Sequence, residues 1–189
     1  MGGEPMMWLR GKSAGLGPYR KDLVETYWQW EQEPLVVLGY GRQTPESLEA
    51  RLEGYEHQAR GTLNQARFTI YDLTTDPWTP VGTTALVIDH RMRTAEYFIL
   101  LGEHRGRGLG TEATILTLDY AFHITNLRNV WLQVLAPNAA AIRAYERAGF
   151  RLIGRRRQSG YWLGEVCDEI LMDAIPSEFP GPSVVRDLS

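Results

Sequence analysis

The sequence predicts one α/β domain, in the α+β sense: a mixed, mostly antiparallel central sheet with helices on its faces. Three observations predict it. Residues 67–101 hold three strand-like runs separated by turn residues, the pattern of an antiparallel meander. From residue 111 on, helix-period and strand-period segments alternate, which brings parallel neighbours into the sheet. A glycine-rich basic turn sits at the junction of these two halves. The length of 189 residues suits a single core.

The elements follow in order. Residues 7–10 read as a short first strand. Residues 22–30 read as a helix with Leu23, Tyr27 and Trp30 on one face. Thr44-Pro45 reads as a helix start, a capping hydroxyl followed by proline, with Leu48, Leu52, Tyr55 and Ala59 as its apolar stripe. Strands are expected at 67–72, 81–89 and 95–101, with turns at Asp76-Pro77 and at 89–93. A helix follows at 111–124, a buried strand at 130–135, and a helix at 138–148 capped by Asn138 and stopped by Gly149. The last strands are 150–154 and 167–174. The domain is expected over 1–175. Residues 176–189, with three prolines, read as a loose tail or one that packs on a partner. A sheet of this kind has a crevice where its connections diverge, and the ligand is expected there.

Composition excludes several classes. About two-fifths of the residues are apolar and 23% are charged, the balance of a globular protein. With a net charge of −3 and no long basic run, nucleic-acid binding is not expected. One cysteine, Cys167, cannot form an internal disulfide, and the four scattered histidines offer no metal-ligand spacing. Cys167 has no neighbouring histidine and reads as a strand residue rather than a nucleophile. There is no apolar run of membrane-spanning length and no basic-then-apolar leader, so a cytoplasmic, metal-free protein without membrane contact is expected.

The segment Arg105-Gly106-Arg107-Gly108-Leu109-Gly110-Thr111 carries the most chemistry. It leaves a strand and opens a helix, where glycines let several N–H groups converge and the helix start adds partial positive charge. Arg105 and Arg107 add formal charge. It is not a P-loop, which ends in Gly-Lys-Ser/Thr, nor a dinucleotide fingerprint, which needs glycine where Thr111 stands.

Arg105-x-x-Gly108-x-Gly110 resembles the Arg/Gln-x-x-Gly-x-Gly/Ala motif of the GNAT superfamily of N-acetyltransferases. The continuation Gly110-Thr111-Glu112-Ala113 is similar to the branch holding ribosomal-protein N-terminal and spermidine acetyltransferases. Asn138, Ala141 and the run Tyr145-Glu146-Arg147-Ala148-Gly149-Phe150 match a second family signature, and Asp22, Tyr27 and Trp30-Glu31 resemble that branch's first helix. Many relatives carry proline where this chain has Gly102, and the resemblance implies a slightly looser turn here.

The resemblance implies a V-shaped cleft between the fourth strand, ending at Leu101, and the fifth, at 130–135. Acetyl-CoA would lie there, with backbone amides of Leu100 and Leu101 on the pantetheine arm and thioester. Amides of Arg105, Gly106, Arg107, Gly108, Leu109, Gly110 and Thr111 would take the pyrophosphate, and Asn138 would touch CoA besides capping its helix. Glu96 is the candidate base for the ammonium proton, its alternative being an exposed strand-edge carboxylate; Glu103 and Glu112 are weaker candidates. Tyr145 would protonate the leaving thiolate, the alternative being a core tyrosine.

For the acceptor, Trp28, Trp30 and Tyr40 are candidates for an aromatic wall, with Tyr161-Trp162 a further contributor. The acidic chain and this wall favour a small cationic amine, such as a polyamine or an amine-bearing antibiotic. A protein or peptide N-terminus is the alternative acceptor, and a non-catalytic acyl-CoA binding domain the alternative class. Arg155-Arg156-Arg157 reads as a solvated strand end rather than a site for an acidic partner. A homodimer is compatible with the sequence.

Overall fold

A computed structural model describes residues 4–39, 44–59 and 64–188, with the backbone alone for 56–59. Among the described residues eight strands form one sheet, in the spatial order β1-β2-β3-β4-β5-β6-β8-β7. They are β1 (Leu9–Arg10), β2 (Ala14–Pro18), β3 (Gln65–Asp72), β4 (Thr79–Asp89), β5 (Thr94–Leu101), β6 (Asn129–Leu135), β7 (Arg151–Trp162) and β8 (Glu165–Ala174). The helices are α1 (Val24–Glu31), α2 (Pro34–Gly39), α3 (Leu48–Ala59), α4 (Leu109–His123) and α5 (Ala139–Arg147). Every neighbouring pair of strands is antiparallel except β5 and β6, which α4 joins as a parallel crossover. No helix among the described residues is long and apolar enough to cross a membrane.

The core has two layers because the sheet is apolar on both faces. On one face α4 buries Leu116, Leu118, Ala121 and Phe122 against Leu86, Tyr97, Val130 and Phe68. On the other, α1 packs Val24, Tyr27 and Trp30 against Leu100. Each such large apolar side chain contributes about 1.5–3 kcal/mol when fully buried.

Four features depart from the sequence reading. No element is expected from Ala14-Gly15-Leu16-Gly17-Pro18, a run of turn composition, yet it forms β2 with Ala14 through Gly17 buried. Its glycines allow close approach, since a Cβ at Gly17 would stand 2.7 Å from the Met6 carbonyl and 2.9 Å from the Tyr71 ring. The helix expected from Thr44-Pro45 starts at Leu48 instead, and the Ser47 hydroxyl accepts the Ala50 N–H at 3.2 Å. Its stripe also differs: Leu52 is 41% exposed while Arg51 is buried, drawn in by Glu31; the Ala59 side chain lies outside the described residues. β7 runs on to Trp162, because cross-strand pairs of Arg155 with Asp168 and Arg156 with Glu169 let a polar run stay in the ladder.

The fourth departure is the C-terminal segment, expected as a loose tail or one that packs on a partner. Over 176–188 it lies along the body instead. Phe179 packs on Phe122 and His123, and Val184 and Val185 on the α4–β2 core. Ser183 Oγ and the Val185 N–H both donate to the buried carboxylate of Asp119.

Candidate active site

The sheet opens between β5 and β6. Their parallel pairing covers Thr94↔Asn129, Ala95↔Val130 and Glu96↔Trp131, and then stops. Beyond that level β5 stays with β4 as far as Leu101, while β6 stays with β8 as far as Leu135. The result is the V-shaped cleft. The Gly102 N–H donates to the Val81 carbonyl at 2.9 Å. Alternation along an antiparallel ladder then directs the Leu100 N–H toward β4 and those of Ile99 and Leu101 toward the opening. Of the two amides expected on the pantetheine arm, this places the Leu101 N–H at the opening and turns the Leu100 N–H into the ladder.

The chain then turns through a series of left-handed residues: His104 (φ 52°), Gly106 (φ 80°) and Gly108 (φ 82°). α4 begins directly after Gly108 with no side-chain cap. The N–H groups of its first turn have no intrahelical acceptor, so those of Leu109, Gly110 and Thr111 join the loop amides in a nest of donors. A Cβ at Gly106 or Gly108 would meet nothing within 4 Å, so both glycines border open space. A Cβ at Gly110 would stand 2.9 Å from Leu101 Cδ1, and the absence of one lets the helix start sit against the cleft strand.

The loop arginines do something other than supply unopposed charge. Arg105 donates through Nε to the Leu101 carbonyl at 2.7 Å and pairs with Glu33 at 2.8 Å. Arg107 pairs with Asp72 at 2.9 Å and donates to the Thr74 hydroxyl at 3.1 Å. The Asp72 side chain is fully buried and also meets His104 Nδ1 at 2.8 Å. Burial pushes its pKa up, but hydrogen bonds from Thr74 and His104 and the charge of Arg107 outweigh that and hold it below the ordinary value. Both arginines therefore brace the loop, and its attraction for anions rests on backbone N–H groups and the helix start.

Gly102 also has a reason to be glycine. A Cβ there would stand 2.1 Å from the Trp30 indole. A proline would fill that space and lose the N–H that Val81 accepts.

Glu96 and Tyr145 flank the point where the strands part. Glu96 belongs to the last β5–β6 pair and shares a sheet face with Phe98 and, across β4, with Val87 and Ala85. It is half-buried, and burial raises its carboxyl above the ordinary glutamate value. Tyr145 lies on the opposite face. Its ring packs edge-on against Tyr97, the first residue past the split, and Phe150. Burial pushes its hydroxyl up to about 12, so it is a neutral donor at pH 7. Asn138 Oδ1 accepts the Ala141 N–H at 3.2 Å and caps α5, as expected.

On the face that Glu96 shares, the helices α1–α3 cover a cavity of about 270 Å³. Tyr19, Glu31, Arg51, Arg67, Val87 and Phe98 are among its walls. Sequence reasoning missed Tyr19, Arg51 and Arg67; for Arg51 the signal was its place one turn after Leu48, on the side of the helix that carries the apolar stripe.

A model of the "Acetyltransferase (GNAT) domain" matches residues 15–151. The chain belongs to the GNAT acetyltransferase family. Spermidine N(1)-acetyltransferase of Escherichia coli (strain K12) is 36% identical over 93 residues, 48% of this chain and 50% of that protein. The Vibrio cholerae enzyme of the same name is 36% identical over 72 residues, 37% of this chain and 42% of that one. The matched stretch thus spans half or less of these relatives. Among solved structures, spermidine N-acetyltransferase from Vibrio cholerae in complex with CoA and spermine superposes with a TM-score of 0.81 at 22% identity, covering 90% of this chain and 100% of that one. That likeness bears on the fold, which is the GNAT fold.

Within this GNAT domain the aromatic candidates are dispersed. Trp30 is 5% exposed and belongs to the core beneath Gly102. Trp28 is half-buried and donates Nε1–H to the Glu46 carbonyl at 2.7 Å, pinning the chain ahead of α3. Neither is among the cavity walls, nor are Tyr161 and Trp162, which lie on the outer strand β7. Tyr40 lies outside the described residues. Of the weaker base candidates, Glu103 meets the Trp30 Nε1–H at 3.4 Å. Glu112 points away from the cleft and accepts the N–H groups of Lys12, Ser13 and Ala14, locking the β1–β2 turn onto α4. Glu112→Ala removes these charge-assisted bonds and is expected to cost about 2–3 kcal/mol. For a domain of this size that lowers the thermal midpoint by roughly 5–10 °C, readable by circular dichroism, with the acetyl-CoA KM little changed.

Proposed function

We propose that this chain transfers an acetyl group from acetyl-CoA directly to the primary amine of a small molecule. The observation that carries the reading is the split of β5 from β6 beside a nest of N–H donors at the start of α4. The residues present fit CoA. The nest suits a diphosphate, Gly106 and Gly108 leave open the space a Cβ would fill, and the Leu101 N–H borders the cleft where a pantetheine arm would run. Acetyl-CoA, when bound, supplies the activated acyl thioester.

The chain's own groups then have defined tasks. An amine of pKa near ~10 arrives protonated, and freeing its lone pair at pH 7 costs about 4 kcal/mol. Glu96 takes that proton, directly or through water, and its raised pKa brings it closer to the working pH. Tyr145, from the opposite face, donates to the departing thiolate. Orienting the amine and the thioester accounts for much of the rate. The spermidine acetyltransferases among the relatives support a small amine as acceptor rather than a protein terminus.

A thiol-release assay on the whole chain tests this, with acetyl-CoA and a panel of polyamines, aminoglycosides, amino acids and short peptides. Amine-dependent release is expected. CoA binding by calorimetry without release from any amine contradicts catalysis and favours a binding domain.

A further inference from the structure

Among the described residues, the charged walls of the cavity on the α1–α3 face are two arginines, Arg51 and Arg67, and one carboxylate, Glu31. Arg51 is 7% exposed, and its Nη2 donates both to Glu31 Oε1 at 2.7 Å and to the Tyr19 hydroxyl at 2.8 Å. Its Nε is buried and has no hydrogen-bond partner among the described residues. The guanidinium of Arg67 stands over the Tyr19 ring, 5.9 Å from its centroid, and Tyr19 is stacked between Tyr27 and Tyr55. Both cations are thus held against a rigid aromatic wall. Arginine stays charged when desolvated, and its planar fork matches a carboxylate.

The opposite end of the cavity is the β5 side, where Phe98 is a wall and Glu96 shares its face. Arg67 stands on β3, paired with Ala85 of β4, which pairs in turn with Phe98 of β5. Two strand spacings, about 10 Å, therefore separate the backbones that carry Arg67 and Glu96.

Resting on the acetyl-transfer reading, we propose that the acceptor is a small amino carboxylate. Its carboxylate is read by Arg51 and Arg67, and its amine points toward Glu96 and the cleft. In the transfer, the amine nitrogen forms the bond to the acetyl carbon as the carbon–sulfur bond breaks. One ammonium proton goes to Glu96 before attack, Tyr145 protonates the departing thiolate, and the second proton, shed by the nitrogen as the amide forms, passes through water to restore the Tyr145 hydroxyl.

The test uses thiol release by the purified full chain with β-alanine, 4-aminobutyrate, L-alanine and L-phenylalanine, each beside its amide, and with spermidine. The best amino acid is expected to exceed its own amide at least ten-fold in kcat/KM. Arg67→Gln should lower the amino acid's kcat/KM about ten-fold, chiefly through KM, and leave the amide within two-fold. Arg67→Lys, which keeps the charge without the fork, should fall between. Acid and amide within two-fold of each other on the unaltered chain overturns the proposal, as does spermidine or any amine lacking a carboxylate outperforming every amino acid. In those cases acetyl transfer itself stands. Absence of release from every amine overturns the transfer reading and the acceptor class together. Should Arg67→Gln fail to fold, the acid–amide comparison on the unaltered chain decides alone.

Discussion

Glu96→Gln is expected to lower kcat about a hundred-fold while leaving CoA affinity, measured by calorimetry, within two-fold. General bases typically contribute 10²–10⁴, and glutamine keeps the shape of Glu96 without its basicity. The pH profile supplies a second readout. Burial places the Glu96 pKa above the ordinary glutamate value. The carboxyl is an effective base only when ionised, so kcat/KM should fall as pH drops through that raised pKa. The acid limb should therefore lie above the range of an exposed glutamate and vanish in Glu96→Gln. Tyr145→Phe should act at the other limb: if the hydroxyl donates to the thiolate, rate is lost as pH rises toward about 12, and the substitution removes that limb. Unchanged kcat in both variants contradicts the assignment of both residues.

Gly108→Val is expected to raise the acetyl-CoA KM at least ten-fold and to weaken CoA binding in parallel. Gly108 has φ 82° and forms the entry to α4. A side chain in this region costs roughly 1–2 kcal/mol, and a β-branched one is more strained still. No heavy atom would touch the added Cβ, so the effect arises in the backbone and in the space a diphosphate would enter. The chain either keeps the turn and places valine in that space, or relaxes the turn and scatters the N–H groups of Leu109 to Thr111. Either way the nest is lost. The thermal midpoint should drop only by a few degrees, which separates damage to the site from damage to the fold.

Much of this architecture was legible where local signals agree with tertiary ones. The meander β3–β5, the helix α4 and the buried strand β6 follow from clear periodicity and turn residues. α5 is framed by Asn138, whose side chain caps it, and by Gly149 at φ 101°. The glycine loop was legible because its chemistry is local: strand, turn and helix start are contiguous in the chain.

The rest depends on contacts between distant residues. β2 resembles a loop by composition and becomes a strand only because β3 closes over its glycines. Trp30 and Trp28 have the same side chain and nearly the same address, but one is buried under Gly102 and the other is anchored to Glu46. Packing decides where each ring lies, and neither lines the cavity. Arg51 looks like a surface residue until Glu31 and Tyr19 draw it inward. The loop arginines likewise read as added charge beside the turn; Glu33 and Asp72, 72 and 35 residues away, turn them into braces.

The most direct test is a crystal structure of the chain with coenzyme A. It should place the diphosphate within hydrogen-bonding distance of the backbone N–H groups between Arg105 and Thr111, with the pantetheine arm running along Leu101 into the opening between β5 and β6. A diphosphate held elsewhere, or a cleft closed by continued pairing of β5 with β6, contradicts the account.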